Sequence, residues 1–163
     1  MSFISDKTIK SPKVIITTHT SNQMTSSAAN TEVIVTGSEI AYTPAPDSSK
    51  VIYEIMFYSE TVDNNGMLMC RLQNYLSGSW SEVDLKNIKV WGIGPQASGE
   101  NQEMRYCCSF RYILPAWSGE RQLRLSITSH HTGREMSLHQ LTNWDGSSAT
   151  DQFCNTNLLV YSI

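Results

Sequence analysis

Two stretches of the chain are apolar in both phases of a two-residue alternation, and the remaining pattern is arranged around them. Successive side chains of a strand point to opposite faces. Residues 51–58 therefore put Val51, Tyr53, Ile55 and Phe57 on one face and Ile52, Glu54, Met56 and Tyr58 on the other. The residues are β-branched and aromatic nearly throughout, and eight of them make a full strand. The first face reads as core. The second is also mostly apolar, unlike the solvated face of an ordinary antiparallel strand. Such a strand needs cover on both sides, from a loop or from a second copy of the chain. Residues 158–161, Leu-Leu-Val-Tyr, share this character. Termini usually fray unless tied down, so this segment is expected to lie centrally in a sheet.

The rest of the chain alternates more conventionally. Strands are predicted at residues 13–18, 31–36, 38–43, 67–76, 80–85, 88–92, 103–114, 121–129, 134–141 and 157–163. In the long segment 103–114, Met104, Tyr106, Cys108, Phe110 and Tyr112 form an apolar face against Arg105, Cys107, Ser109 and Arg111. In 121–129, Leu123, Leu125 and Ile127 point inward. Asn64-Asn65-Gly66 and Ser77-Gly78-Ser79 mark turns, because Asn and Gly tolerate the positive φ that tight hairpins demand. Residues 143–155, with Trp144, read as a loop. No segment shows a 3.6-residue apolar period. Some ten short strands with turns every 8–12 residues predict an all-β antiparallel sandwich. Residues 1–30 are polar, end their first part at Pro12, and read as an N-terminal arm; residues 31–163 form the sandwich domain.

Composition narrows the function. The chain has 163 residues, enough for one domain with a full core. Charged residues make up 17%, with a net charge of −3, which gives no basic field for nucleic acid. No apolar run approaches the roughly 20 residues of a membrane-spanning helix. The N-terminus lacks the pattern of a signal peptide, so a cytoplasmic site of synthesis and maturation is expected. Cys70, Cys107, Cys108 and Cys154 show no ligand spacing and read as free thiols.

Candidate chemistry is thin. His130, His131 and His139 read as a polar turn and a solvent-facing strand position rather than a metal site. Glu100, Glu103 and Glu120 sit in or beside loops and do not mark an acid–base pair. No Gly-x-Ser-x-Gly elbow occurs. No enzymatic activity, cofactor or metal is expected. Trp80, Trp117 and Trp144 lie in or beside turns, where exposed rings stack on sugars; carbohydrate recognition at a host surface is the alternative reading. They are also common loop anchors.

The order of strands, the long segment 105–114 followed by a turn and 121–129, and the ending Thr156-Asn-Leu-Leu-Val-Tyr161 together resemble the globular head of the C1q and tumour-necrosis-factor type. Such heads also recur in phage fibres and capsid decorations. Ile40-Ala-Tyr-Thr-Pro-Ala with Val51-Ile-Tyr-Glu is similar to modules in structural proteins of marine, especially cyanobacterial, phages. The resemblance covers roughly residues 38–163. It implies a ten-stranded jelly roll that assembles as a tight homotrimer, with Ile52, Met56, Tyr58, Leu158, Val160 and Tyr161 at the trimer interface. It also implies a virion protein assembled in the host cytoplasm, a capsid decoration or fibre head docked to the virion through its N-terminal arm.

Overall fold

The computed structural model describes residues 8–25, 31–61, 67–83, 89–92, 105–129, 136–144 and 149–163. Every regular element among them is a strand. They are β1 (Lys10–Thr17), β2 (Gln23–Met24), β3 (Glu32–Ile34), β4 (Ile40–Tyr42), β5 (Lys50–Thr61), β6 (Met67–Leu76) and β7 (Ser79–Glu82). There follow β8 (Lys89–Gly92), β9 (Arg105–Pro115), β10 (Arg121–Ser129), β11 (Met136–Leu138), β12 (Gln140–Trp144), β13 (Ala149–Phe153) and β14 (Thr156–Ser162).

Two antiparallel sheets face each other. The first runs β1–β14–β5–β9, and the short β11 and β2 extend it beside the far end of β5. The second places β3 and β4 along one edge of β10, β6 along the other, and β7 and β8 on the far side of β6. The strands therefore pair from the outside of the chain inward: β1 with β14, β3 and β4 with β10, β5 with β9, β6 with β7 and β8. Successive pairs alternate between the sheets. That winding is the jelly roll, and the fold is an all-β antiparallel sandwich.

The alternation read from the sequence sets the core. Val51, Tyr53, Ile55 and Phe57 of β5 meet Leu123, Leu125 and Ile127 of β10, with Cys70, Leu72, Cys108, Tyr112 and Leu114 filling between them. The Tyr53 hydroxyl donates to the Ser38 carbonyl, so this buried phenol keeps a partner. Burial pushes the Cys70 thiol well above its ordinary range and the Cys108 thiol up to about 11, which keeps both protonated.

Several segments differ from expectation. Residues 10–17, read as part of an arm and an adjoining strand, form one edge strand of the first sheet. Pro12 is accommodated because the register slips between Lys10 and Lys13, where Ser11 takes a positive φ of 48°; a bulge on an edge strand tolerates the missing N–H. Residues 23–24, read as loop, pair with β11. Residues 1–7 and 26–30 lie outside the described residues. The predicted strand 134–141 breaks at His139, and the predicted loop after it contains the β12–β13 hairpin.

Candidate functional site

The outer faces of the two sheets differ in kind. Over the second sheet the outward side chains join in a polar net. Arg71 pairs with Glu82 at 2.8 Å and donates to the Thr128 hydroxyl. The Gln73 amide donates to Glu32 at 2.7 Å and accepts from the Arg124 guanidinium at 2.8 Å. Gln73, Ser126 and Thr128 of this net are buried, so its polar groups are met largely by one another.

The outer face of the first sheet is apolar. Residues directly opposed in an antiparallel ladder share a face, so the register gives its rows. Tyr161, Ile52 and Ile113 stand side by side, then Val14, Leu159, Glu54 and Arg111, then Ile16, Asn157, Met56 and Ser109, then Tyr58 and Cys107. Val14 and Ile16 are each 62% exposed and Ile113 is 53% exposed. A shallow hollow of about 260 Å³ lies among Val14, Glu54, Met56, Ser109, Asn157 and Leu159. At the centre, Arg111 Nε donates to Glu54 Oε1, and the Tyr161 hydroxyl donates to the same oxygen at 3.2 Å. Burial and the Glu54 carboxylate push the Tyr161 phenol up. The acid is thus held by a base and a phenol, and the charges at the centre of the face are paired.

Of the residues expected at an interface, Ile52, Met56, Tyr58 and Tyr161 lie on this face. Leu158 and Val160 do not: both are fully buried in the sandwich core. Leu158 opposes Ile55 and Val160 opposes Tyr53, both inward residues, so the outward positions of β14 are Asn157, Leu159 and Tyr161. Val14, Ile16, Ile113 and Leu159 are the members the sequence reading missed. Val14-Ile15-Ile16 is apolar in both phases, the same signal that singled out 51–58.

Trp80 and Trp117 are anchored. The Arg124 guanidinium lies 3.9 Å from the Trp80 ring centre, and Tyr75 packs at 5.3 Å. Trp117 packs against the core, with Tyr42 edge-on at 6.3 Å and Arg121 at 5.1 Å. Each ring thus has an arginine over it. Trp144 belongs to β12 rather than a loop, and its side chain lies outside the described residues.

No three acids, histidines or cysteines gather as metal ligands among the described residues. His130, His131, Glu100 and Glu103 lie outside them. His139 is not solvent-facing, as read from sequence, but fully buried. It adopts a positive φ of 64° where the chain leaves β11, and its side chain stays inside after three buried residues, Met136, Ser137 and Leu138.

The sequence matches no known protein family and no curated protein. Among solved structures it is similar to a chain of infectious bursal disease virus, Gx strain. The identity is 11% over 99% of this chain and 40% of that one, with a TM-score of 0.43. A chain of the Gt strain matches at 11% identity over 93% and 37%, again with a TM-score of 0.43. This chain spans about two fifths of the length of those it matches. The jelly roll itself follows from the strand pairings.

Proposed function

We propose that the chain is a non-enzymatic structural protein of a bacteriophage virion, a homotrimeric jelly roll that decorates a capsid or heads a fibre. The observation that carries this reading is the contrast between the two outer faces. One is polar, its side chains joined to one another. The other exposes Val14, Ile16 and Ile113 beside Met56 and Leu159. Contiguous exposed apolar surface on this scale marks an association site.

A second copy is the partner that fits. Glu54 and Arg111 pair with each other at the centre of the face, so like faces meet there without like-charge repulsion. The strand-order resemblance to trimeric heads supports three copies rather than two. The same resemblance supports the virion setting, with the segment before β1 as the attachment to a larger assembly.

Solution mass by light scattering tests the reading. A mass of three times 18.3 kDa is expected; a monomer at micromolar concentration overturns it. Met56→Arg places an unpaired charge in the middle of the face. It is expected to give single copies with an unchanged far-ultraviolet spectrum, since Met56 does not enter the core. A variant that stays trimeric would show that a different face associates.

A further inference from the structure

A second constellation lies where the β1–β2 segment crosses the sandwich. His19, between β1 and β2, stacks face to face on the buried His139, with ring centres 3.8 Å apart and planes 5° from parallel. The Thr156 hydroxyl of β14 touches both, 2.9 Å from His19 Nε2 and 3.1 Å from His139 Nδ1. His139 Nε2 lies 3.2 Å from Oε1 of Gln23 on β2.

The direction of these bonds can be deduced. Gln23 Oε1 accepts from the Thr36 N–H at 2.9 Å, and its amide nitrogen donates to the Ile34 carbonyl. Two backbone groups of fixed polarity therefore set the amide. His139 Nε2 must then carry the proton, which leaves Nδ1 as acceptor of the Thr156 hydroxyl proton. Thr156 Oγ1 in turn accepts from His19 Nε2. This arrangement needs an unprotonated Nδ1 on His139, while His19 Nε2 donates in either charge state.

Protonation of Nδ1 reverses one link. The Thr156 proton can turn to the Thr36 carbonyl at 3.3 Å, so the hydrogen bonds survive while a charge enters a fully buried site. A second proton would set like charges one ring-stacking distance apart. Among the described residues, the groups in contact with His139 carry no negative charge in acid. From β5 come Phe57, edge-on at 6.2 Å, and the Tyr58 carbonyl, which accepts from the His139 N–H at 2.8 Å. Cys154 donates its N–H to the His139 carbonyl at 2.8 Å, and burial raises its thiol, so it stays neutral in acid. The Tyr58 phenol, raised by neighbouring Cys107, is also neutral there. Glu60 lies farther along β5, opposite Ser137. His139 is lowered to about 4 by burial first and by His19 second. Burial lowers His19 as well.

His19 and Gln23 are also the side chains that tie this segment to β14, to His139 and to the turn at Thr36. We propose that the stacked histidine pair is a pH-operated latch: at neutral pH it holds the β1–β2 segment on the sandwich, and on acidification it releases that segment while the rest of the jelly roll stays folded.

Hydrogen exchange of the full chain, read by mass spectrometry from pH 7.5 to 4.5 and corrected for intrinsic rates, tests this. Peptides covering residues 10–25 should exchange at least ten-fold faster at the acid end, while β10 peptides stay protected. His19→Phe keeps a ring in the stack without a charge and should move the midpoint down by half a pH unit or more. Protection of residues 10–25 that is flat across the range overturns the latch. So does opening of β1, β2 and β10 together, or an unmoved midpoint in His19→Phe. Should that variant fold poorly, imidazole titration of the wild-type chain by NMR decides: His139 still neutral at pH 5.5 supports the latch, and an ordinary titration near 6.5 removes it.

Discussion

Two residues show how local geometry constrains this chain. Gly37 follows β3 with φ at 84°, and an added Cβ would lie 2.7 Å from Thr17 Oγ1 and 3.1 Å from the Thr156 Cβ. The turn passes so close to β1 and β14 that only glycine fits. Gly37→Ala is expected to cost about 2–4 kcal/mol, combining left-handed strain with overpacking. Gly78→Ala, at a similar φ but with nothing within 4 Å, should cost only about 1–2 kcal/mol. Urea unfolding of the two variants separates the contributions; equal losses would mean that Thr17 and Thr156 yield freely. His139 makes a second prediction at this scale. Its folded value of about 4 lies below the ordinary 6.5. Above pH 6.5 neither folded nor unfolded chain binds this proton, and the stability is fully present. Between 6.5 and 4 the unfolded chain binds it first, so stability falls with pH by about 3 kcal/mol in all, then levels off. His139→Asn, which tolerates the positive φ, should flatten that part of the profile in urea midpoints measured across the range.

At the scale of the strand, alternation decides which residues share a face but not which face is inside when both are apolar. In β10 the polar phase is hydrophilic, and Leu123, Leu125 and Ile127 were legible as core from the sequence. In β5 the inward phase was legible too, because Glu54 marks the other one. In β14 both phases are apolar, and the phase is fixed only by register: Leu158 opposes Ile55, and Leu159 opposes Glu54. A one-residue slip would exchange the two sets, and no pattern within residues 156–162 records which register is adopted. For the same reason the fold class was legible while part of the candidate face was not. The left-handed residue at His139 was hidden as well, since histidine visits positive φ too seldom for its identity alone to mark the position. Paired substitutions on β14 check the assigned phase. Val160→Asp buries a charge without a partner, at a cost of several kcal/mol, and should leave the chain unfolded or aggregated. Leu159→Asp lies on the outer face and should give a folded single copy. If Leu159→Asp unfolds and Val160→Asp does not, the register is wrong by one.

At the scale of the whole molecule, the two ends of the described chain close the sandwich. β14 is sandwiched between β1 and β5, and the Ile163 backbone exchanges bonds with Ser49 and Lys50. β1 is therefore both the edge of the first sheet and the donor of Val14 and Ile16 to its apolar face. This gives the N-terminal segment two separable parts. Removing residues 1–8 leaves every pairing described here intact, so folding and solution mass should be unchanged, while attachment to a larger assembly should be lost if that part docks. Removing residues 1–25 also deletes β1, β2, His19 and Gln23. It uncovers the β14 backbone, a bare edge strand that invites pairing between chains, and removes Val14 and Ile16 from the face proposed to associate. The longer deletion should therefore aggregate or give an irregular mass rather than a clean trimer. Light scattering and far-ultraviolet spectra of the two truncations distinguish these outcomes. A 1–25 deletion that is folded and trimeric would mean that β1 adds neither a necessary strand nor a necessary part of the interface.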